Sequence, residues 1–231
     1  MKAMILAAGR GERMRPLTDV TPKPLLTVGG KALIEYHLEK LQAIGVEDVV
    51  INHYWLGNVI KETLGDGSRY GLRIHYSPEE ETDRLFAGGG IRHALPMLED
   101  DRFLVINGDV YTDFDFHRVL DVDLASNKGC LFLCNTPEYY ETGDFGVGED
   151  GFLTDRPDHT FSGIALYDPE AFREVPDHRE PLSPYWKKWR EAHQLLAFHF
   201  DDFWCDVGTP ERLRDLDARL NADKGPDPNR I

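Results

Sequence analysis

Several features that would narrow the class of protein are scarce or missing in this chain of 231 residues. Cys130, Cys134 and Cys205 are too few and too irregularly spaced for a disulfide framework or a zinc site. The first two are expected as neighbours on one strand, where they are poorly placed to bridge. No apolar run approaches the roughly 18 residues that a membrane span needs, and the N-terminus lacks the pattern of a secretory signal. We therefore expect a cytoplasmic protein with no membrane partner.

Positive charge is also in short supply. The chain holds 26 Lys and Arg residues against 41 Asp and Glu residues, which gives a formal net charge of −15. Because nucleic acids and many membrane surfaces are anionic, this balance argues against either as a partner. No internal repeat and no linker divides the chain, and 41% hydrophobic residues suffice for a core. We expect one domain over residues 1–220, followed by a flexible C-terminal tail over residues 221–231.

The first half of the chain alternates short apolar segments with amphipathic ones. The apolar segments predict strands at 3–6, 48–52, 72–76 and 103–107, and the amphipathic ones predict helices at 32–45, 55–64 and 91–98. This alternation predicts an α/β fold with a doubly wound, mostly parallel sheet over residues 1 to about 125. The second half is less regular, with strands predicted at 128–135, 161–167 and 195–200 and helices at 182–192 and 209–220.

The scarce positive charge is concentrated around two glycines near the N-terminus. Residues 1–31 contain six Lys or Arg residues and two acidic ones, a local net charge of +4. The first apolar segment ends at Ala8, and Gly9 and Gly11 then leave the backbone amides open to a ligand. The cationic side chains around them are Arg10, Arg13, Arg15 and Lys23. A cationic glycine loop on an acidic protein predicts a site for a polyphosphate.

Two common phosphate-binding motifs do not fit this loop. A P-loop needs a Lys-Ser or Lys-Thr pair after its last glycine, and no such pair follows Gly11. A dinucleotide-binding fingerprint needs a third small residue at the position that Met14 occupies. The loop therefore belongs to neither class.

Several motifs of the chain occur together, in this order, in one known family. They are LAAGRGERMRPLT at 6–18, TPKPL at 21–25, a glycine cluster at 88–90, INGDV at 106–110, FSGI at 161–164 and WCDVGTPERL at 204–213. On these motifs the sequence resembles the sugar-nucleotidyltransferases, the nucleoside-diphosphate-sugar pyrophosphorylases, over nearly all of residues 1–220. The resemblance implies a single domain with a Rossmann-like, doubly wound mixed sheet. Residues 1–110 would form its nucleotide-binding half and residues 111–220 its sugar-binding half.

One bacterial group within that family shares further motifs with the chain. These are NHYWLGN at 52–58, LGDGSRYGL at 64–72, YSPE at 76–79 and GDF at 143–145. Members of this group use UTP and N-acetylmuramate 1-phosphate in peptidoglycan recycling, and they lack the C-terminal β-helix of larger relatives. The chain departs from the group at Phe86-Ala87, where the group has Glu-Thr, and in a longer acidic loop that precedes them. The departure falls in the region expected to meet the base.

The implied reaction joins a sugar 1-phosphate to the α-phosphate of a nucleoside triphosphate and releases pyrophosphate. Because the attacking phosphate is already an anion, the protein must neutralise charge and align the groups rather than supply a base. The resemblance implies Mg²⁺ as cofactor, held by Asp109 and Asp206. Both follow apolar strand segments, and strand ends of a wound sheet meet at one edge, where ligands bind. Carboxylates there suit a hard cation.

The resemblance also implies a role for each remaining site residue. Arg13, Lys23 and Asp109 would be catalytic. The expected nucleotide contacts are Ala8, Gly9, Arg10, Gly11, Arg13, Lys23, Gly88, Gly89 and Asn107. The expected sugar contacts are Asn107, Gly143, Asp144, Ser162 and Gly163. Trp186 and Trp189, on the predicted helix at 182–192, are expected to pack rather than to contact the sugar.

Two alternatives stay open at this point. The chain could be a different pyrophosphorylase, such as a mannose-1-phosphate guanylyltransferase or a thymidylyl- or cytidylyltransferase. It could instead be a non-catalytic module that binds sugar nucleotides, although the presence of Arg13, Lys23, Asp109 and Asp206 argues against that. We expect a monomer or a small homo-oligomer that binds a nucleoside triphosphate and a sugar 1-phosphate.

Overall fold

The computed structural model describes residues 1–79, 85–99 and 102–222. Most of the acidic loop that precedes Phe86, and the tail from residue 223, lie outside these ranges. The strands are β1 (Lys2–Leu6), β2 (Thr27–Val28), β3 (Lys31–Ala32), β4 (Asp48–His53), β5 (Arg73–Pro78), β6 (Phe103–Asn107), β7 (Val110–Thr112), β8 (Gly129–Asn135), β9 (Phe145–Val147), β10 (Leu153–Tyr167), β11 (Leu195–Phe200) and β12 (Trp204–Asp206). The α-helices are α1 (Leu33–Ala43), α2 (Gly57–Leu64), α3 (Phe86–Leu98), α4 (His117–Leu120), α5 (Ser183–Glu191) and α6 (Pro210–Ala222).

The main sheet of the described residues has eight strands. Seven of them follow the order β11-β8-β10-β6-β1-β4-β5, and β9 pairs with β10. Strands β5, β4, β1 and β6 are parallel, whereas the long strand β10 runs antiparallel to both β6 and β8. The predicted mixed, mostly parallel sheet is therefore confirmed.

Helices cover both faces of this sheet, which explains why its inner strands are apolar throughout. Ala3 and Ile5 of β1 point into one buried cluster, where α1 and α2 pack. Met4 points the other way, into a second cluster that contains residues of α3 and α5. None of the helices within the described ranges combines the length and apolarity that a membrane span requires.

The glycine triplet forms part of a helix, which the sequence pattern did not predict. Helix α3 begins at Phe86, so the predicted start at residue 91 is wrong. Gly88 and Gly89 are buried against the backbone of residues 178–181, and a Cβ on either would collide with carbonyl oxygens there. The packing against this segment therefore overrides the low helix propensity of glycine.

Of the two candidate metal ligands, Asp206 ends a strand of a separate two-stranded sheet, and Asp109 directly precedes the other strand. Strand β12 pairs antiparallel with β7, so that Val110 lies opposite Asp206, and the Val207 amide donates to the Asp109 carbonyl at 2.9 Å. Asp206 thus reaches Asp109 through this small sheet. The expectation that Asp206 ends a strand of the main sheet is wrong.

The last helix begins as the sequence predicts. The Thr209 hydroxyl accepts from the Arg212 amide at 3.3 Å, which caps α6 next to Pro210. The helix continues to Ala222, so Asn221 and Ala222 are helical rather than part of a flexible tail.

Between β1 and β2, the chain makes three short 3-10 turns, at Glu12–Met14, Leu17–Asp19 and Lys23–Leu25.

Candidate active site

The loop after β1 contains two glycines with different structural settings. Gly11 has φ +67°, and a Cβ there would lie 2.9 Å from Thr18 Cγ2, so the fold itself requires glycine. Thr18 also donates its hydroxyl to the Gly11 carbonyl at 2.8 Å, which pins the loop. Gly9 has no such constraint, because its φ lies outside the left-handed region and a Cβ would meet no atom of the described residues within 4 Å. The side of the loop at Gly9 is therefore open.

Cationic side chains of the N-terminal segment surround one cavity of about 290 Å³. Its lining includes Gly9, Arg10, Gly11, Arg13, Lys23 and Asp109. The structure thus brings together the cations that the sequence analysis assigned to a polyphosphate. Arg15 is the exception, since it pairs with Asp19 at 2.7 Å on the exposed surface.

An aromatic side chain that the sequence analysis did not single out holds Arg10. The Arg10 guanidinium lies 4.3 Å from the centre of the Trp55 ring, a cation–π contact. The Trp55 indole donates to the Thr18 carbonyl at 2.8 Å, so the same threonine anchors both Trp55 and Gly11. Trp55 lies in the shared motif at 52–58, which was the available signal.

Lys23 and Asp109 form an ion pair at the wall of the cationic cavity. Lys23 Nζ lies 2.5 Å from Asp109 Oδ2, and both residues line the cavity. The Lys23 side chain is only 9% exposed, whereas that of Asp109 is 40% exposed. Asp109 can therefore meet a further ligand while it neutralises the buried ammonium.

A second cavity, of about 500 Å³, contains both Asp109 and Asp206 in its lining. Asp206 pairs with Arg212 of α6, whose guanidinium lies 4.4 Å from the Tyr139 ring centre. The sequence analysis missed Arg212, although it lies one helical turn after the Thr209 cap. Burial beside Asp206 also raises the pKa of the Tyr139 hydroxyl.

The two aspartates fit a hard divalent cation in the chemistry of their donors. Both carboxylates border one cavity, and oxygen ligands are those that Mg²⁺ prefers. Within the described ranges, no cluster of three or more His, Cys, Asp or Glu side chains is arranged to hold a metal. An ion at this position would therefore take its other ligands from water and bound phosphate.

Aromatic residues form much of the wall of the 500 Å³ cavity. They are Tyr140, Phe145, Phe161, Trp186 and Trp204. Trp186 packs against the second buried cluster and also lines this cavity, and Trp189 is buried and packs. The expected packing of both is therefore observed, and the absence of a sugar contact stays a prediction. Among the predicted sugar contacts, Asn107, Asp144 and Gly163 also line this cavity.

The remaining predicted sugar contacts lie behind the wall. Ser162 is fully buried, and its hydroxyl donates to the Phe132 carbonyl at 2.7 Å. Gly143 packs against the backbone of His159. Neither is among the residues that line the cavity. Their contact with a sugar stays a prediction. In the structure, both residues instead contact the backbone of neighbouring strands.

A third cavity, of about 220 Å³, adjoins the cationic one at Gly9. Its lining consists of Leu6, Ala8, Gly9, Asn52, Glu79, Phe86 and Ala87. Asn52 accepts from the Ala7 amide at 2.8 Å and donates to Glu79 at 2.7 Å, so two polar groups are fixed at the cavity. The sequence analysis missed these two side chains, although both lie in quoted motifs. Gly88 and Gly89 are absent from this lining, and their contact with a nucleotide stays a prediction.

The three cavities share residues. The 220 Å³ cavity and the cationic cavity meet at Gly9, and the cationic cavity and the aromatic one meet at Asp109. Such an arrangement can hold a polyphosphate in the middle, with one organic group on each side.

Comparison with known proteins gives a consistent result. The chain matches the nucleotidyl transferase family over residues 2–223. It is 44% identical to the N-acetylmuramate alpha-1-phosphate uridylyltransferase of Neisseria meningitidis serogroup B, over 96% of this chain and 99% of that protein. It is 33% identical to the protein of the same name from Caulobacter vibrioides, over 94% and 96% of the two chains. Among solved structures, HddC from Yersinia pseudotuberculosis has the same fold, with a TM-score of 0.80 at 19% identity over 95% of this chain and 99% of that one.

Proposed function

The chain belongs to the nucleotidyl transferase family, and we propose that it joins N-acetylmuramate 1-phosphate to the uridylyl group of UTP. The products are UDP-N-acetylmuramate and pyrophosphate, and the role is in cytoplasmic recycling of bacterial cell wall. The observation that carries the proposal is the cavity of Arg10, Arg13, Lys23 and Asp109 between two other cavities. The two uridylyltransferase relatives support the choice of substrates.

The reaction makes one bond and breaks one. A phosphate oxygen of the sugar 1-phosphate attacks the α-phosphorus of UTP, and a new P–O bond forms. The bond from that phosphorus to the oxygen that bridges to the β-phosphate breaks, and pyrophosphate leaves with the electron pair. Because the nucleophile is already ionised, no proton has to be removed from it, and the protein's task is to place charge around the phosphates.

The cationic side chains divide this task by position. The loop at Gly9 and Gly11 lets backbone amides approach the triphosphate, and Arg10 and Arg13 would hold the β- and γ-phosphates as they leave. Lys23 would lie beside the α-phosphate, where charge is shared between the incoming and leaving oxygens. Its pairing with Asp109 at 2.5 Å fixes the ammonium before substrate arrives.

Asp109 and Asp206 would hold Mg²⁺. When bound, the ion would neutralise charge on the phosphates. Because Asp206 is paired with Arg212, that pair would have to share or release the carboxylate when the ion binds.

The outer cavities would take the organic groups. The base and ribose of UTP would occupy the 220 Å³ cavity beside Asn52 and Glu79. The sugar would occupy the 500 Å³ cavity, whose aromatic walls suit the apolar face of a pyranose ring and the methyl group of its acetamide. Asn107 and Asp144 would meet sugar hydroxyls.

A pyrophosphate-release screen tests the proposal. UTP, GTP, dTTP, CTP and ATP are each combined with N-acetylmuramate, mannose and glucose 1-phosphates in the presence of Mg²⁺. We expect turnover with UTP and N-acetylmuramate 1-phosphate, and its loss when EDTA is added. Turnover with GTP and mannose 1-phosphate instead would favour a guanylyltransferase, one of the pyrophosphorylases that the departure at Phe86-Ala87 leaves open. No turnover with any pair would refute the proposal.

A further inference from the structure

Phe86 has an unusual setting at the edge of the small cavity. Its backbone has φ +56°, a left-handed conformation that bulky residues rarely adopt. Its side chain is among those that line the cavity, and the residue is 44% exposed. An exposed aromatic ring gains little from packing, so burial does not explain the strained backbone.

Arg179 is positioned over the Phe86 ring by two backbone hydrogen bonds. The Arg179 guanidinium lies 4.4 Å from the ring centre. The Glu180 amide donates to the Leu85 carbonyl at 2.9 Å, and the Gly89 amide donates to the Glu180 carbonyl at 3.0 Å. The segment at 178–181 is thereby fixed against the start of α3. Glycines at 88 and 89 allow that approach, because a Cβ on either would strike the segment.

We infer that Phe86, supported by Arg179, forms a stacking wall for the nucleobase. The inference rests on the proposed function, because it assumes that the small cavity receives the base of the nucleotide. The guanidinium covers one face of the ring by a cation–π contact. Because Phe86 also lines the cavity and is 44% exposed, its ring can stack on a planar base held there.

Stacking on an aromatic ring is tolerant of base identity, because every base has a π-face. Phe86 therefore contributes to the affinity for whichever nucleotide the protein uses. Discrimination between bases falls to the fixed polar groups of Asn52 and Glu79 in the same cavity.

The test is steady-state kinetics with variants of Phe86, under saturating sugar 1-phosphate. Phe86→Ala should raise KM for UTP about 5- to 20-fold, the lower part of the range for loss of one stacked base, with kcat within about twofold of wild type. Phe86→Tyr should retain the wild-type KM. The ratio of kcat/KM between UTP and dTTP should be unchanged in Phe86→Ala. An unchanged KM in Phe86→Ala would overturn the inference.

Phe86→Gly is the control for backbone strain, since glycine adopts φ +56° without penalty. If the ring matters, Phe86→Gly should raise KM as much as Phe86→Ala does. A wild-type KM in Phe86→Gly together with a raised KM in Phe86→Ala would assign the effect to the backbone and refute stacking.

Arg179 acts through the ring in this scheme, and a double-mutant cycle checks that. Arg179→Gln should raise KM about two- to fivefold in the wild-type background and leave it unchanged in Phe86→Ala. Equal effects in both backgrounds would contradict the positioning role. If the wild type turns over a nucleotide other than UTP, the same series is run with that nucleotide, so failure of the proposed function and failure of the stacking wall give different results.

Discussion

Gly9 and Gly11 lie two residues apart in the loop after β1, but the structure constrains only one of them. Gly11 is left-handed and packs against Thr18, whereas a Cβ on Gly9 would meet nothing within 4 Å in the part of the chain that the structure describes. If the open side at Gly9 is where the triphosphate lies, the two glycine-to-alanine variants should fail in different ways. This comparison separates a binding surface from a folding requirement with two minimal substitutions.

Only one of the two substitutions is expected to lower the free energy of unfolding. Gly11→Ala places a side chain in a left-handed conformation, which costs about 1–2 kcal/mol, and brings the new methyl group within 2.9 Å of Thr18 Cγ2. A total of about 2 kcal/mol would lower Tm by about 4–8 °C in a chain of this size. Gly9→Ala should leave stability unchanged or raise it by up to about 1 kcal/mol, because alanine restricts the unfolded chain.

The expected effects on activity distinguish the variants again. Gly9→Ala adds a methyl group on the side that the phosphates approach, and KM for UTP should rise at least about tenfold, equivalent to about 1.4 kcal/mol. Thermal unfolding and pyrophosphate release would be measured on both variants and on wild type. A KM for Gly9→Ala within twofold of wild type would show that the open side of the loop does not receive the nucleotide. A fall in Tm of several degrees for Gly9→Ala would show that the fold does require glycine there.

Three further predictions concern other parts of the structure. Lys23→Met and Asp109→Asn should each lower kcat by at least about two orders of magnitude. Asp109→Asn should also be the less stable of the two in urea unfolding, because it leaves a 9% exposed ammonium without its partner; equal stabilities would contradict the role of burial. Trp55→Leu should raise KM for UTP in the wild-type background but have no further effect in Arg10→Ala, and additive effects would refute positioning through Arg10. Burial lowers the pKa of His37 to about 4 from the 6.5 expected in the unfolded chain, so the unfolded state binds the extra proton first as pH falls. The contribution of neutral His37 to stability is therefore present above pH 6.5 and is lost towards pH 4. Between pH 7.5 and 4.5 it lowers the free energy of unfolding by about 2–3 kcal/mol. His37→Leu should reduce the pH dependence of the free energy of unfolding by about that amount, and an identical profile would show that His37 does not carry it.

Parts of the site that depend on local sequence could be predicted without a structure. The alternation of apolar and amphipathic segments predicted the parallel strands β1, β4, β5 and β6, because burial between two helical layers imposes that pattern. The glycines and cations at 9–23 predicted an anion-binding loop, since they occur within one short stretch. Their convergence with Asp109 followed from the motif order of a known family, and the cavity lining agrees with it.

Other features depend on contacts between segments that are far apart in sequence. The pairing of β12 with β7 decides how Asp206 reaches Asp109, and neither strand is long enough to be distinctive by itself. The contact of Arg10 with Trp55 and that of Phe86 with Arg179 join surfaces whose approach is set by packing elsewhere. Local propensity carries no information about such distances.

The sequence by itself determined which chemical groups this protein has for a phosphate reaction and the type of sheet that carries them, because both are encoded in composition and short-range pattern. The tertiary structure alone decided that the glycine triplet would be helical, that Trp186 would line a cavity and that Arg212 would pair with Asp206. Each of these outcomes depends on which distant backbone or side chain occupies the adjacent space, and that is fixed only when the whole chain has packed.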